Sequence, residues 1–185
     1  MNFTEYMNRR IYSWYSRGVV CAIGEQIGSA YDADIYVDLD NAHVLCDLER
    51  TLPNIRANHV RLGEVLEHLT RDADLLRHLH GRTDSILVTV PYYAPATYHV
   101  RLHSDWSIRQ LLAATGWEVR EYTPRKATRL DRVAWILRGV FGQKVNNLLF
   151  VLNHFLPVKP NGGYYYCVPG SGVSISAVNR EVFCG

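Results

Sequence analysis

The chain has 185 residues, a net charge of +2 at neutral pH and 48% hydrophobic residues. That length suits one domain with a substantial core, and the apolar fraction excludes an intrinsically disordered chain. The near-balanced charge gives no reason to expect a polyanionic partner, and no run of about 20 apolar residues is present to span a bilayer.

Thr4 to Ser16 has helical character: Thr4 is a candidate N-cap, and Met7, Ile11, Trp14 and Tyr15 share a largely aromatic face. The same stretch mixes charges with aromatics, so no secretory signal is expected and the expected location is the cytoplasm. Gly18 to Gly24, GVVCAIG, reads as a buried parallel strand running into a glycine turn. Asp34 to Asp40, DIYVDLD, reads as a second strand with an acidic end. A third starts at Val44 and ends at Asp47, and a fourth covers His59 to Leu62. Glu64 to His80 is predicted to be one helix, with Leu66 and Leu69 facing inward. Ser85 to Val90 is the fifth strand, stopped by Pro91. Ser104 to Thr115 is a helix capped by Ser104, with an apolar face of Ile108, Leu111 and Leu112 and a stop at Gly116. Trp117 to Tyr122 and Tyr164 to Val168 complete the strands. Cys21, Cys46, Cys167 and Cys184 lack C-x-x-C spacing and read as small apolar residues in a reducing compartment.

Strands alternating with helices imply an α/β, mostly parallel sheet with right-handed crossovers. Ligands in such sheets bind outside the carboxyl ends of the strands. The polar residues of interest fall at those ends. Gly24, Gln26 and Gly28 form a turn after the first strand, where a backbone can approach a ligand. Asp38 and Asp40 close the second strand, where a carboxylate can accept two ribose hydroxyls. On the predicted helix, Glu64, Glu67 and His68 share one face at i, i+3 and i+4. Carboxylates at a helix start also serve the helix dipole, so Glu64 and Glu67 are open to that simpler role. His99, Arg101 and His103 alternate in Y-H-V-R-L-H-S and would point to one side of an extended segment.

The order D-L-D, D-L-E-x-x-L-P, G-E-V-L-E-H-L, I-L-V-T-V-P-Y and G-W-x-V, over about Gly18 to Arg120, resembles the class I S-adenosylmethionine (SAM)-dependent methyltransferases. The group resembled most is the small-molecule methyltransferases of the methionine- and ubiquinone-biosynthesis types. The resemblance implies a compact Rossmann-like sheet and SAM as cofactor. It implies that Gly24, Gln26 and Gly28 lie at the methionine end. Asp40, with Asp38 as the alternative, would meet the ribose, Asp47 and Leu48 the adenine, and Glu64 the methionine moiety or the acceptor. The family pattern has an acid leading the glycine turn and a third glycine within it; Ala22 and Gln26 stand there instead. E-x-x-E-H also resembles metal-using members, which makes Glu64, Glu67 and His68 an alternative divalent-ion set, although no metal is the first expectation. His103 or His99 is a candidate base, Arg101, Tyr92 and Tyr93 candidate acceptor contacts.

Pro124 to Asn161 is an insertion between the sixth and seventh strands. Two amphipathic helices are predicted in it, with apolar faces of Leu130, Val133, Leu137, Val140 and Phe141, and of Leu148, Leu149, Leu152, Phe155 and Leu156. It carries Arg125, Lys126, Arg129, Arg132, Arg138, Lys144 and Lys159 against only Asp131. A solvated face explains that charge, as does a lid over an anionic or lipid-linked acceptor or a peripheral contact with an anionic membrane (residues 124–161). Nucleic acid is not expected, because the aromatics are not interleaved with the charges. Residues 1–185 thus read as one domain: an N-terminal helix (1–17), a core (18–123), the insertion (124–161), and a last strand with a tail (162–185). The expected function is methyl transfer to a small-molecule acceptor. The alternatives are a methyltransferase-fold binding module that has lost SAM, and an enzyme acting on a lipid-linked substrate.

Overall fold

The computed structural model describes residues 17–28, 32–92, 98–125, 160 and 162–171. The N-terminal helix, Tyr93, Cys184 and almost all of the basic insertion lie outside the described residues. Seven strands form one sheet: β1 (Val20–Ile23), β2 (Ile35–Asp38), β3 (Val44–Leu45), β4 (His59–Gly63), β5 (Ser85–Pro91), β6 (Trp117–Arg125) and β7 (Gly162–Pro169). Their order is β3-β2-β1-β4-β5-β7-β6, with β7 antiparallel to both neighbours and the pairings from β3 to β5 parallel. The chain leaves β1 for β2 on one side and returns to β4 on the other, so the carboxyl ends of β1 and β4 form the switch point where such sheets bind ligands.

Two helices connect the central strands: α1 (Asp72–Leu79) between β4 and β5, and α2 (Asp105–Ala114) between β5 and β6. In α1 the acids Asp72 and Asp74 occupy the first turn and Arg77 and His78 the last, as the helix dipole favours. Its Leu75, Leu76 and Leu79 are buried in one cluster with Cys21, Ile23, Val37, Val60, Leu62, Ile86 and Val88 and with Ile108 and Leu112 of α2. Both helices therefore cover the same sheet face, which is the main core. Ser104 caps α2: its Oγ accepts from Ser107 N at 3.1 Å, and Ser107 Oγ accepts from Ser104 N at 2.7 Å. Gly116 ends that helix with φ +89.

The predicted helix from Glu64 to His80 is two pieces. β4 ends at Gly63, Glu64 takes a left-handed conformation (φ +54), Leu66–His68 make a single 3-10 turn, and Leu69 is extended before α1 begins. Val65, Leu66, Glu67 and Leu69 are all buried. A continuous α-helix could not turn three consecutive residues inward from one face, so the tight turn replaces it. Thr70 marks the break, held by Glu49, whose carboxylate accepts from Thr70 N and Oγ1 at 2.5 Å each. Consequently Glu64, Glu67 and His68 do not share a helical face: Glu64 is exposed, Glu67 buried and His68 half-buried. The strands run where expected, with β6 and β7 longer than predicted because they pair along their whole length as a hairpin. Among the described residues no helix joins β2 to β3 or β3 to β4.

Candidate cofactor site

A cavity of about 320 Å³ opens across the carboxyl ends of β1, β2 and β4. It is lined by Gly24, Asp38, Leu39, Cys46, Asp47, Leu48, Glu49, Glu64, Val65, His68 and Leu69. Gly24 carries φ +76, which a side chain would strain, and any Cβ there would collide with Val65. Four lining side chains are carboxylates, and among the described residues no lysine or arginine lines the cavity. Two of the acids are paired at the rim: Asp47 with Arg50 at 3.2 Å, and Glu64 with Arg125. This set of acceptors suits a ligand that presents hydroxyl and amino donors and positive charge.

The expected cofactor residues divide. Gly24, Asp38, Asp47, Leu48 and Glu64 line the cavity; Gln26, Gly28 and Asp40 do not. Asp38, not Asp40, is the carboxylate that reaches it. The reason is where the strand stops: β2 ends at Asp38, and the exposed Asp40 and Asn41 follow in a turn with Asn41 at φ +42. Asp40 instead accepts from Gln26 Nε2, and Ile27 N donates to Asn41 O at 2.9 Å, so the turns after β1 and β2 are fastened to each other. Gly28 has φ +91 and is exposed. Cys46 lies outside any strand, half-buried on the cavity wall, and donates from Sγ to Thr51 O at 3.3 Å. Burial pushes the Cys21 and Cys167 thiols up to about 12, as expected of inert apolar cysteines.

The acceptor-side residues are rearranged more strongly. His103 is 5% exposed and does not line the cavity; Asp72 and Arg101 are its charged neighbours, and burial holds its imidazole below the ordinary value. It is therefore a buried, packed histidine and not a lining one. Arg101 forms an ion pair with Asp72 at 3.3 Å and donates to Thr70 O at 2.9 Å. Tyr92 is tied to Tyr122, Tyr165 and Asp105 through its hydroxyl and does not line the cavity. His99 instead joins His68 and Glu67. The His68 and His99 ring centroids are 4.8 Å apart, edge to face, and Tyr98 stacks on His68 at 5.2 Å. Ligand atoms of Glu67, His68 and His99 all lie within 4.8 Å of one another. The Glu67 carboxylate is 1% exposed, neither oxygen has a hydrogen-bond partner among the described residues, and burial raises its pKa. His68 Nδ1 lies 3.2 Å from Tyr98 O, which leaves Nε2 to present a lone pair. Since His68 also lines the cavity, this trio borders the ligand site.

Two structural participants, Glu49 and Arg61, went unread in the sequence, and a third, Arg125, was read only as part of the insertion's charge. Glu49 is both a lining carboxylate and the brace of Thr70. Arg125 reaches Glu64 from the root of the insertion. Arg61, 1% exposed, pairs with Glu25. An arginine in the middle of the apolar strand HVRLG was the available signal, since a buried charge requires a partner.

Searches of known structures decide the fold. The structure is similar to a SAM-dependent methyltransferase from Archaeoglobus fulgidus (TM-score 0.54, 14% identity, covering 89% of this chain and 94% of that one). The chain has the class I methyltransferase fold. It is also similar to an O-methyltransferase from a Brevibacillus brevis polyketide multienzyme, solved with S-adenosyl-L-homocysteine (SAH; TM-score 0.55, 10% identity, covering 90% and 72%). A cyclase, SpnF, shares the fold as well (TM-score 0.56, 12% identity, covering 89% and 82%). No protein-family model and no curated protein matches the sequence. Among the described residues, no helix is long and apolar enough to cross a membrane.

Proposed function

We propose that the chain binds SAM in the cavity at the β1–β4 switch point and transfers its methyl group to a small-molecule acceptor. The carrying observation is the cavity wall: a backbone-exposing glycine, a carboxylate at the end of β2, an Asp-Leu pair after β3 and a glutamate after β4. In this reading Asp38 accepts the ribose hydroxyls, Leu48 packs beside the adenine with Asp47 toward its amino group, and Glu64 faces the cationic methionine end. SAM supplies an electrophilic methyl on a positively charged sulfur; the protein's part is to hold an acceptor in line with it and to exclude water.

Of the two candidate bases, His99 is the better placed for an acceptor hydroxyl, because its ring packs on His68, which lines the cavity. The same trio fits a divalent ion: it offers one buried carboxylate without a hydrogen-bond partner among the described residues and two imidazoles. Glu67, His68 and His99 would hold such an ion, which would polarise an acceptor oxygen; Glu64, engaged by Arg125, falls outside that set. In this reading the basic residues of 124–161 face an anionic or lipid-linked acceptor, or an anionic membrane surface. A binding module without SAM is the second reading, favoured by Ala22 and Gln26 at the cofactor turn.

Calorimetry with two variants tests the assignment. Asp38→Ala should weaken SAM binding by tenfold or more, as loss of charge-assisted hydrogen bonds of about 1.5–3 kcal/mol implies. Asp40→Ala should change it by less than about threefold, at about 0.65 kcal/mol (1.4 kcal/mol per tenfold). A wild-type affinity in Asp38→Ala would remove the ribose role.

A further inference from the structure

The departure at the cofactor turn has a structural counterpart. Ala22 on β1 is in register with Arg61 on β4, and parallel neighbours project their side chains to the same sheet face. Arg61 is 1% exposed on that face. Its guanidinium grips Glu25 through two bonds, Nε to Oε1 at 2.6 Å and an Nη to Oε2 at 2.7 Å. The single methyl of Ala22 leaves the arginine room to run beside it, which a larger acidic side chain would contest.

Glu25 directly follows Gly24, a lining residue. Its carboxylate also rests against the end of β4: a Cβ added to Gly63 would sit 2.7 Å from Glu25 Oε1. Gly63 directly precedes Glu64, another lining residue. One ion pair therefore spans two walls of the cavity, the turn after β1 and the exit of β4. The same turn is fastened on its far side by Ile27 N to Asn41 O at 2.9 Å and Asn41 Nδ2 to Ile27 O at 3.2 Å.

We infer that Glu25 and Arg61 are positioning residues for SAM: their largely buried ion pair sets the shape of the cofactor turn. Neither lines the cavity. The inference rests on the SAM reading above and adds the residues that hold the turn in a binding shape.

The test separates shaping from folding. Either single neutralisation leaves the other charge without the partner that grips it here, which destabilises the fold for reasons unrelated to SAM. The double variant Glu25→Gln/Arg61→Met removes both charges together. It should melt cooperatively near the wild-type midpoint yet bind SAM at least tenfold more weakly by calorimetry. Arg61→Lys, which keeps the charge and loses the two-pronged grip, should fall between the two. A folded double variant with wild-type affinity overturns the inference. If the double variant does not fold, Arg61→Lys decides it: threefold or greater weakening supports the inference, and unchanged affinity overturns it. Wild-type protein that fails to bind SAM overturns the SAM reading itself, whereas wild-type binding with unaffected variants overturns only the role of the pair.

Discussion

Glu64 joins backbone strain to the cavity, and a substitution series there separates the two. Its left-handed conformation (φ +54) costs a residue bearing a Cβ about 1–2 kcal/mol. Glycine escapes that cost but loses about 0.5–1 kcal/mol in extra unfolded-state entropy. Glu64→Gly should therefore be more stable than Glu64→Ala by about 0.5–1 kcal/mol, the reverse of the order in a regular strand or helix. Both variants delete the same carboxylate, so the pair with Arg125 cancels from the comparison. That pair is 48% exposed on the glutamate side and 37% on the arginine side, so it contributes no more than about 1 kcal/mol in any case. For a chain of this size the expected difference is about 1–4 °C in Tm, read by thermal denaturation and checked by urea unfolding. Both variants should also bind SAM more weakly than wild type. Equal stability, or a more stable alanine variant, would refute the strained turn.

Two buried titratable groups give opposite pH signatures. Burial raises the Glu67 carboxyl, so its contribution to stability is present in acid and lost as pH rises through its folded value. Glu67→Gln should therefore gain Tm relative to wild type as pH rises above the ordinary carboxylate range; a pH-independent gap would contradict the desolvated carboxylate. A metal at the trio predicts in addition that Mn²⁺ or Zn²⁺ raises the Tm of wild type but not of Glu67→Gln. Burial lowers the His103 imidazole, so its contribution is present above the ordinary histidine value and lost as pH falls through its folded value. His103→Leu should flatten the decline in Tm below about pH 6.5, with His59, also lowered by burial, keeping part of the slope. The same variant should bind SAM as wild type does; a large loss would return His103 to the cavity.

The strands and α2 were legible because their signals are local. Apolar runs bounded by glycine or proline marked β1, β4 and β5, and Ser104 with Gly116 bracketed α2. The break between Glu64 and α1 was hidden because GEVLEHL satisfies a helical period, while the tertiary demand to bury Val65, Leu66 and Glu67 together overrides it. The cavity's place at the strand ends followed from topology, and five of the eight expected cofactor residues line it. The choice of Asp38 over Asp40 depended on the residue at which β2 stops, which composition does not fix. His99 beside Glu67 and Glu25 beside Arg61 are pairings across 32 and 36 residues, beyond the reach of any local pattern.

The central claim, that the cavity is a SAM site, is tested most directly by calorimetric titration of the purified protein with SAM and with SAH. The account predicts micromolar one-site binding that Asp38→Ala weakens. No heat of binding at millimolar ligand, from protein that melts cooperatively, would contradict it and leave the class I fold serving some other ligand.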